Sequence, residues 1–172
     1  MSACERLPGI LGVHHIGVSV PDLAKARAFY IDVLGAVEEV APLSWADNPF
    51  IDEIVGLEGS AAQQFFCRLG NVQIEVFQYD APRQKALDRH RGVNEYGYTH
   101  MALQVEDVAE VHRRIVAAGL PVHAPPALEA ITVDAQGVKH GYAGTYCRDF
   151  FGNVFEILEI HETPDILPIA SR

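Results

Sequence analysis

The sequence predicts an α+β fold built twice in tandem, on two observations. A short strand-like segment opening on a histidine and followed by a helix-like one occurs at His15 and again at His100, an offset of 85 residues (100 − 15). A segment that runs Gly-Asn, then apolar strand, then glutamate occurs at Gly70, reaching Glu75, and at Gly152, reaching Glu156. A repeat of that length marks two halves expected to fold alike. The halves are placed at residues 1–95 and 96–172, together making one domain, with the Pro-containing tail HETPDILPIASR expected to be poorly ordered.

The first half reads strand, helix, further strands. Its helix is expected near Asp22 to Leu34, with Asp22 as N-cap, Leu23, Ala26, Tyr30 and Val33 as the apolar stripe, and Gly35 as the stop. The stretch APLSWADNPFIDEIVGLEGSA reads as a long loop holding a short helix. Strands follow near Gln64–Leu69 and Val72–Tyr79. In the second half Asp107 and Glu110 form a D-x-x-E capping-box-like pair, and Val108, Val111, Ile115 and Ala118 make the stripe. Gly119 and Pro121 end that helix, and strands are expected at Tyr142–Arg148 and Val154–Ile160.

Composition narrows the function. Of the 172 residues 49% are apolar and 21% charged, enough to fill a core and too few charges for global disorder. A net charge of −10 and a pI of about 5.1 argue against a nucleic-acid partner, which needs a basic face. Cys4, Cys67 and Cys147 are odd in number and far apart, without CxxC spacing. They read as small buried hydrophobes in a reducing compartment. MSACERLPGILG reads as neither a signal peptide nor a membrane span, so the expected location is the cytoplasm, with no membrane partner.

Alternation along the strands separates the histidines. His15, Gly17 and Ser19 share one face, and His14 falls with Ile16, Val18 and Val20 on the other, which must pack on the helix. In the second half His100, Ala102 and Gln104 oppose Met101, Leu103 and Val105. His15 and His100 thus lie on faces of small or polar residues, which suit a cavity. Glu75 and Glu156 sit in mid-strand among Val, Ile and Phe, where an unpaired carboxylate is costly. Arg68 or Arg148 is a possible rescue for one of them. Two glutamates at matching positions, each with a strand histidine, point instead to a shared divalent metal.

The segments HHIGVSVPDLAKARAFYIDVLG, VQIEVFQY, THMALQVEDV and RDFFGNVFEILE, spread over Leu11 to Ile160, resemble the vicinal oxygen chelate superfamily. That superfamily includes glyoxalase I, methylmalonyl-CoA epimerase, extradiol dioxygenases, and fosfomycin and bleomycin resistance proteins. The resemblance implies two βαβββ modules whose mixed sheets curl into a cup around a metal. Carried over position by position, the glyoxalase I-like ligand set lands on His15, Glu75, His100 and Glu156. The ion would be Ni, Zn, Co, Mn or Fe. Members that only sequester drugs usually lack these ligands, so the full set favours a metalloenzyme. Glyoxalase I-like chains tend to carry a basic residue for the glutathione carboxylate after the VLG turn, where this chain has Glu38 and Glu39. Relatives are often dimers, and a homodimer is expected.

Four protein ligands on an octahedral ion leave two adjacent positions for a substrate with neighbouring oxygens. The expected chemistry is lyase, isomerase or epimerase chemistry on a small oxygen-rich substrate, through a metal-stabilised enediolate or enolate. Glu156 or Glu75 is the expected catalytic base, with metal-bound water as the other candidate. An Fe(II)-dependent dioxygenase and a non-catalytic small-molecule binder are the alternatives. Trp45, Phe50 and Phe77 are candidates for the cup wall, or else ordinary core aromatics. Arg68 would meet a substrate carboxylate, or else form a structural ion pair. His140, Tyr142 and Tyr146 precede the last strand; His140 and Tyr142 are candidate substrate contacts, His140 also a candidate acid or base behind the ligands, or else a solvent-exposed loop histidine. Arg148 and Asp149 are expected to pair.

Overall fold

The computed structural model describes Gly9 and residues 11–169. Cys4 lies outside them. The protein is a mixed α+β chain that divides into two compact units, Met1–Gln84 and Lys85–Arg172.

In the first unit β1 (His15–Ser19) leads into α1 (Leu23–Arg27), and the helix continues as a π-helical stretch over Ala28–Val33. Asp22 caps it, accepting from Lys25 N. In the widened turn Leu34 N–H donates to the carbonyl of Phe29, five residues back. Phe29 and Tyr30, neighbours in sequence, are both buried there with Ala26. Next come β2 (Val37–Glu38), β3 (Leu43–Trp45), α2 (Pro49–Val55), β4 (Ala61–Leu69) and β5 (Val72–Ala81). The sheet order is β1-β5-β4-β2, with β3 also on β4. β1 runs parallel to β5, and β5 antiparallel to β4. The stretch expected as a loop, residues 41–61, therefore holds one short strand, β3, besides the expected helix, and β2 lies just before it.

One sheet face packs on α1: Val20, Phe65, Cys67, Ile74 and Val76 are buried with Ala26 and Phe29. Burying five such side chains contributes on the order of 1.5–3 kcal/mol for each large one. Gln78 Oε1, on the same face, accepts from Leu23 N at the start of α1.

The second unit repeats the plan. β6 (His100–Gln104) leads into α3 (Val108–Ala117), then β7 (Thr132–Val133), β8 (Lys139–His140), β9 (Tyr142–Arg148) and β10 (Val154–Ile160). β6 runs parallel to β10, and β10 antiparallel to β9. The partner of β2 is reduced to a single bridge between Val122 and Cys147, and β7 and β8 form a hairpin of their own. Asp107 caps α3 by accepting from Glu110 N. The Glu110 side chain does not close the capping box; it binds Arg113 and Arg114. The tail runs alongside this unit as far as it is described: His140 bridges Glu162, and Ile169 N–H donates to Gln104 at 2.6 Å.

Candidate functional site

Each unit brings one histidine and one glutamate together, with the same stagger. Across the parallel ladders Gly17 pairs with Glu75, and Ala102 with Glu156. Each histidine is thus two residues before the position that faces its glutamate. The residue directly opposite each glutamate is small, which leaves the carboxylate room to reach the histidine diagonally. His15 Nε2 lies 3.1 Å from a Glu75 carboxylate oxygen, and His100 Nε2 3.4 Å from one of Glu156.

The antiparallel neighbours match as well. Phe66 pairs with Glu75 and Tyr146 with Glu156. Their rings lie against the histidines, 5.6 Å from His15 and 4.7 Å from His100 between centroids. Gly144 stands beside Glu156; a Cβ there would come within 2.7 Å of the Ile157 carbonyl and 3.4 Å of a Glu156 carboxylate oxygen. Of these, Phe66 and Gly144 were not among the sequence candidates. Counting register back through the Gly70-Asn71 and Asp149–Asn153 turns would have found Phe66 and Tyr146.

Burial pushes the Glu75 carboxyl above its usual range, against His15, a hydrogen bond from Gln64 and His14, which pull it down. The cationic groups that act on it are imidazoles, not arginine or lysine. Arg68 forms a structural ion pair with Glu39 at 2.7 Å, one of its two expected roles. Arg27 takes Glu38 at 2.8 Å, so both acidic residues after the first helix are neutralised locally. Imidazole nitrogens and carboxylate oxygens suit a divalent cation, and a half-buried carboxylate whose counter-charges are only histidines fits such a ligand. Among the described residues no group of three or more His, Cys, Asp and Glu side chains is arranged as a metal site, so each pair is what its own unit assembles.

The other candidates divide. Trp45 and Phe77 join Tyr79 in one cluster, with centroids 5.8–6.0 Å apart, and Phe77 is two residues beyond Glu75 on the same strand. Trp45 Nε1 donates to Ser60 Oγ at 2.9 Å, which fixes the indole. Phe50 stands apart, 70% exposed on α2. His140 is held by Asp134 at 3.0 Å beside the β7–β8 hairpin, and that carboxylate raises its pKa. Tyr142 is exposed at the start of β9.

Two expectations change. His14 does not pack beneath the sheet. β1 begins at His15, so strand alternation does not extend to His14, and its exposed ring turns to His15 with the two Nδ1 atoms 2.8 Å apart. Arg148 and Asp149 do not pair. Arg148 donates to the carbonyls of Gly152 and Arg91, and Asp149 accepts from Phe151 and Asn153 inside the turn. Cys67 and Cys147 are free and buried, as expected, and burial raises both thiols to about 11.

The family model described as Glyoxalase/Bleomycin resistance protein/Dioxygenase superfamily matches residues 14–136. A 2-epi-5-epi-valiolone epimerase from Actinomyces sp is 32% identical over 105 residues, 59% of this chain and 56% of its own. The mitochondrial methylmalonyl-CoA epimerase of Mus musculus is 29% identical over 100 residues, 56% of this chain and 47% of its own. The chain thus spans about half the length of the curated relatives it matches. Among solved structures, a glyoxalase family protein from Bacillus cereus superimposes with TM-score 0.72 at 20% identity, covering 92% of this chain and 97% of the other. The fosfomycin resistance protein FosX of Listeria monocytogenes, solved with Mn(II) and sulfate, gives 0.54 at 23% identity over 88% and 93%. No helix among the described residues is long and apolar enough to cross a membrane. The protein belongs to the glyoxalase/bleomycin resistance protein/dioxygenase superfamily.

Proposed function

We propose that the protein is a divalent-metal-dependent epimerase or isomerase that moves a proton at a carbon next to a carbonyl. The observation that carries this reading is the repeated pair: a histidine Nε2 facing a strand carboxylate, with one stagger in both units. The matches to two epimerases support the reaction type. His15, Glu75, His100 and Glu156 would hold the ion, which supplies Lewis acidity to the carbonyl oxygen of a bound substrate.

The chain's own groups supply the proton transfer. One carboxylate, Glu75 or Glu156, would take the proton from the carbon, and the other would return one. Burial pushes the Glu75 carboxyl above its usual range, which makes it a stronger base toward a carbon-bound proton. The Trp45–Phe77–Tyr79 cluster offers an apolar wall beside Glu75, suited to the C–H face of a small ring or chain.

The test uses the purified protein with Mn, Co, Ni, Zn or Fe(II) in D₂O. Proton NMR follows deuterium entering 2-hydroxy ketones, polyhydroxylated cyclic ketones and 2-methyl-branched acyl-CoA thioesters. Metal-dependent exchange, abolished by EDTA and by Glu75→Gln or Glu156→Gln, is expected. No exchange with any metal overturns the proposal. Oxygen uptake with Fe(II) and catechols would put a dioxygenase in its place, and ligand affinity that survives EDTA a binding protein.

A further inference from the structure

In each unit the residue just before the strand histidine touches that histidine's other nitrogen. His14 Nδ1 lies 2.8 Å from His15 Nδ1, and Thr99 Oγ1 lies 2.9 Å from His100 Nδ1. The two residues differ in type but hold the same repeat position. Both rings present Nε2 to the glutamate, at 3.1 and 3.4 Å. Each imidazole is therefore contacted at both nitrogens, with an aromatic ring against its flank. Turning either ring over would exchange its nitrogens with carbons and lose both contacts at once.

We propose that His14 and Thr99 are positioning residues that fix the rings of His15 and His100 so that Nε2 is the atom offered for binding. A neutral imidazole that gives its Nε2 lone pair to a cation carries its proton on Nδ1. That proton needs an acceptor. The Nδ1 lone pair of His14 serves His15, and the hydroxyl oxygen of Thr99 serves His100. Partners of this kind orient a ligating ring and raise its basicity, and losing one costs about 10–100-fold in metal affinity. Both contacts are exposed, so water replaces part of each, and the lower end of that range applies.

For affinity the inference rests on the metal-binding reading; for ring orientation it stands alone. Calorimetric titration with Co(II) or Mn(II) is expected to give about tenfold weaker binding for His14→Ala and for Thr99→Val, and wild-type binding for Thr99→Ser. Long-range ¹H–¹⁵N spectra of histidine-labelled, metal-free protein supply the second readout. The His100 Nδ1 resonance should move in Thr99→Val and return in Thr99→Ser, with backbone amide spectra unchanged. Wild-type affinity in both His14→Ala and Thr99→Val, or a Thr99→Ser variant as weak as Thr99→Val, overturns the proposal. If the wild type binds no metal, the reading of function fails; an unmoved Nδ1 resonance in Thr99→Val then overturns the positioning role too, and a moved one sustains it.

Discussion

The carboxylate of Glu159 accepts the backbone N–H of Val108 at 2.9 Å, three residues beyond Glu156 and from the opposite face of β10. Gln78, three residues beyond Glu75, does the same for Leu23. The strand that carries the candidate site thus also caps the helix behind it, in both units. In the second unit the cap is charged, and Lys139 and His161 bind it at 3.0 and 2.7 Å.

Burial alone would raise the Glu159 pKa. The Val108 N–H, His161 and Lys139 together outweigh burial and hold it at about 2, below its usual 4.5. A carboxylate with a depressed folded-state pKa stabilises the fold above its unfolded pKa, and that stability is lost as pH falls toward the folded value. Glu159→Gln should cost on the order of 2–3 kcal/mol at pH 7. The gap from wild type should close between about pH 4.5 and 2, followed by urea unfolding at each pH. A gap that is constant over that window would mean the charge is not the stabilising feature.

Gly144 and Gly17 should respond oppositely to alanine. At Gly144 the new Cβ meets the Ile157 carbonyl and a Leu158 methyl, each at 2.7 Å. The backbone atom cannot step aside, so Gly144→Ala should cost about 1–3 kcal/mol and displace Glu156. At Gly17 the nearest atom is a Phe77 ring carbon at 3.7 Å, an ordinary contact. The second unit already has Ala102 at the matching place. Gly17→Ala should hold or slightly raise the melting temperature, because glycine weakens a strand interior. Differential scanning calorimetry of the pair decides it.

His15→Ala and His100→Ala should separate stability from function. Both side chains are substantially accessible, at 39% and 27%. Truncation should therefore move stability by no more than about 1 kcal/mol. Metal content by mass spectrometry should fall to background, and exchange by roughly a thousandfold or more, the loss of several kcal/mol of Lewis-acid stabilisation. Variants that keep stoichiometric metal would exclude these residues as ligands.

Trp45 is the single tryptophan of the chain and stands in the aromatic cluster beside Glu75. Its emission should shift or quench when substrate or an inert analogue binds. Phe50, exposed on α2 outside that cluster, should be replaceable by Ser without changing the titration. An unresponsive Trp45 would remove the cluster from the binding site.

The duplication, both caps and the main strands were legible because each rests on short-range pattern. β9 and β10 match the expected residues at both ends, being bounded by Gly141 and by the turn at Gly152-Asn153. The short strands β2 and β3 were not legible, since two or three residues carry no period and owe their shape to pairing with β4. The π-helical widening after Arg27, where the neighbours Phe29 and Tyr30 are both buried, was also invisible, because the apolar spacing there reads as an ordinary helix. At the site, alternation separated His15 from Ile16 but failed for His14, one residue outside the strand. Phe66 and Gly144 were missed because register across a hairpin, not spacing along the chain, puts them beside the glutamates.

The parallel pairing of first and last strands has a consequence for how the chain matures. His15 and Glu75 are 60 residues apart in sequence (75 − 15), yet lie on adjacent strands. Their meeting closes 60 of the 84 residues of the first unit, and that of His100 with Glu156 closes 56 (156 − 100) of the 88 of the second. A nascent chain emerging from the ribosome therefore holds its first histidine exposed and without its carboxylate until the final strand of that unit has been made. Each histidine–glutamate pair is thus withheld from fragments and belongs only to a finished unit.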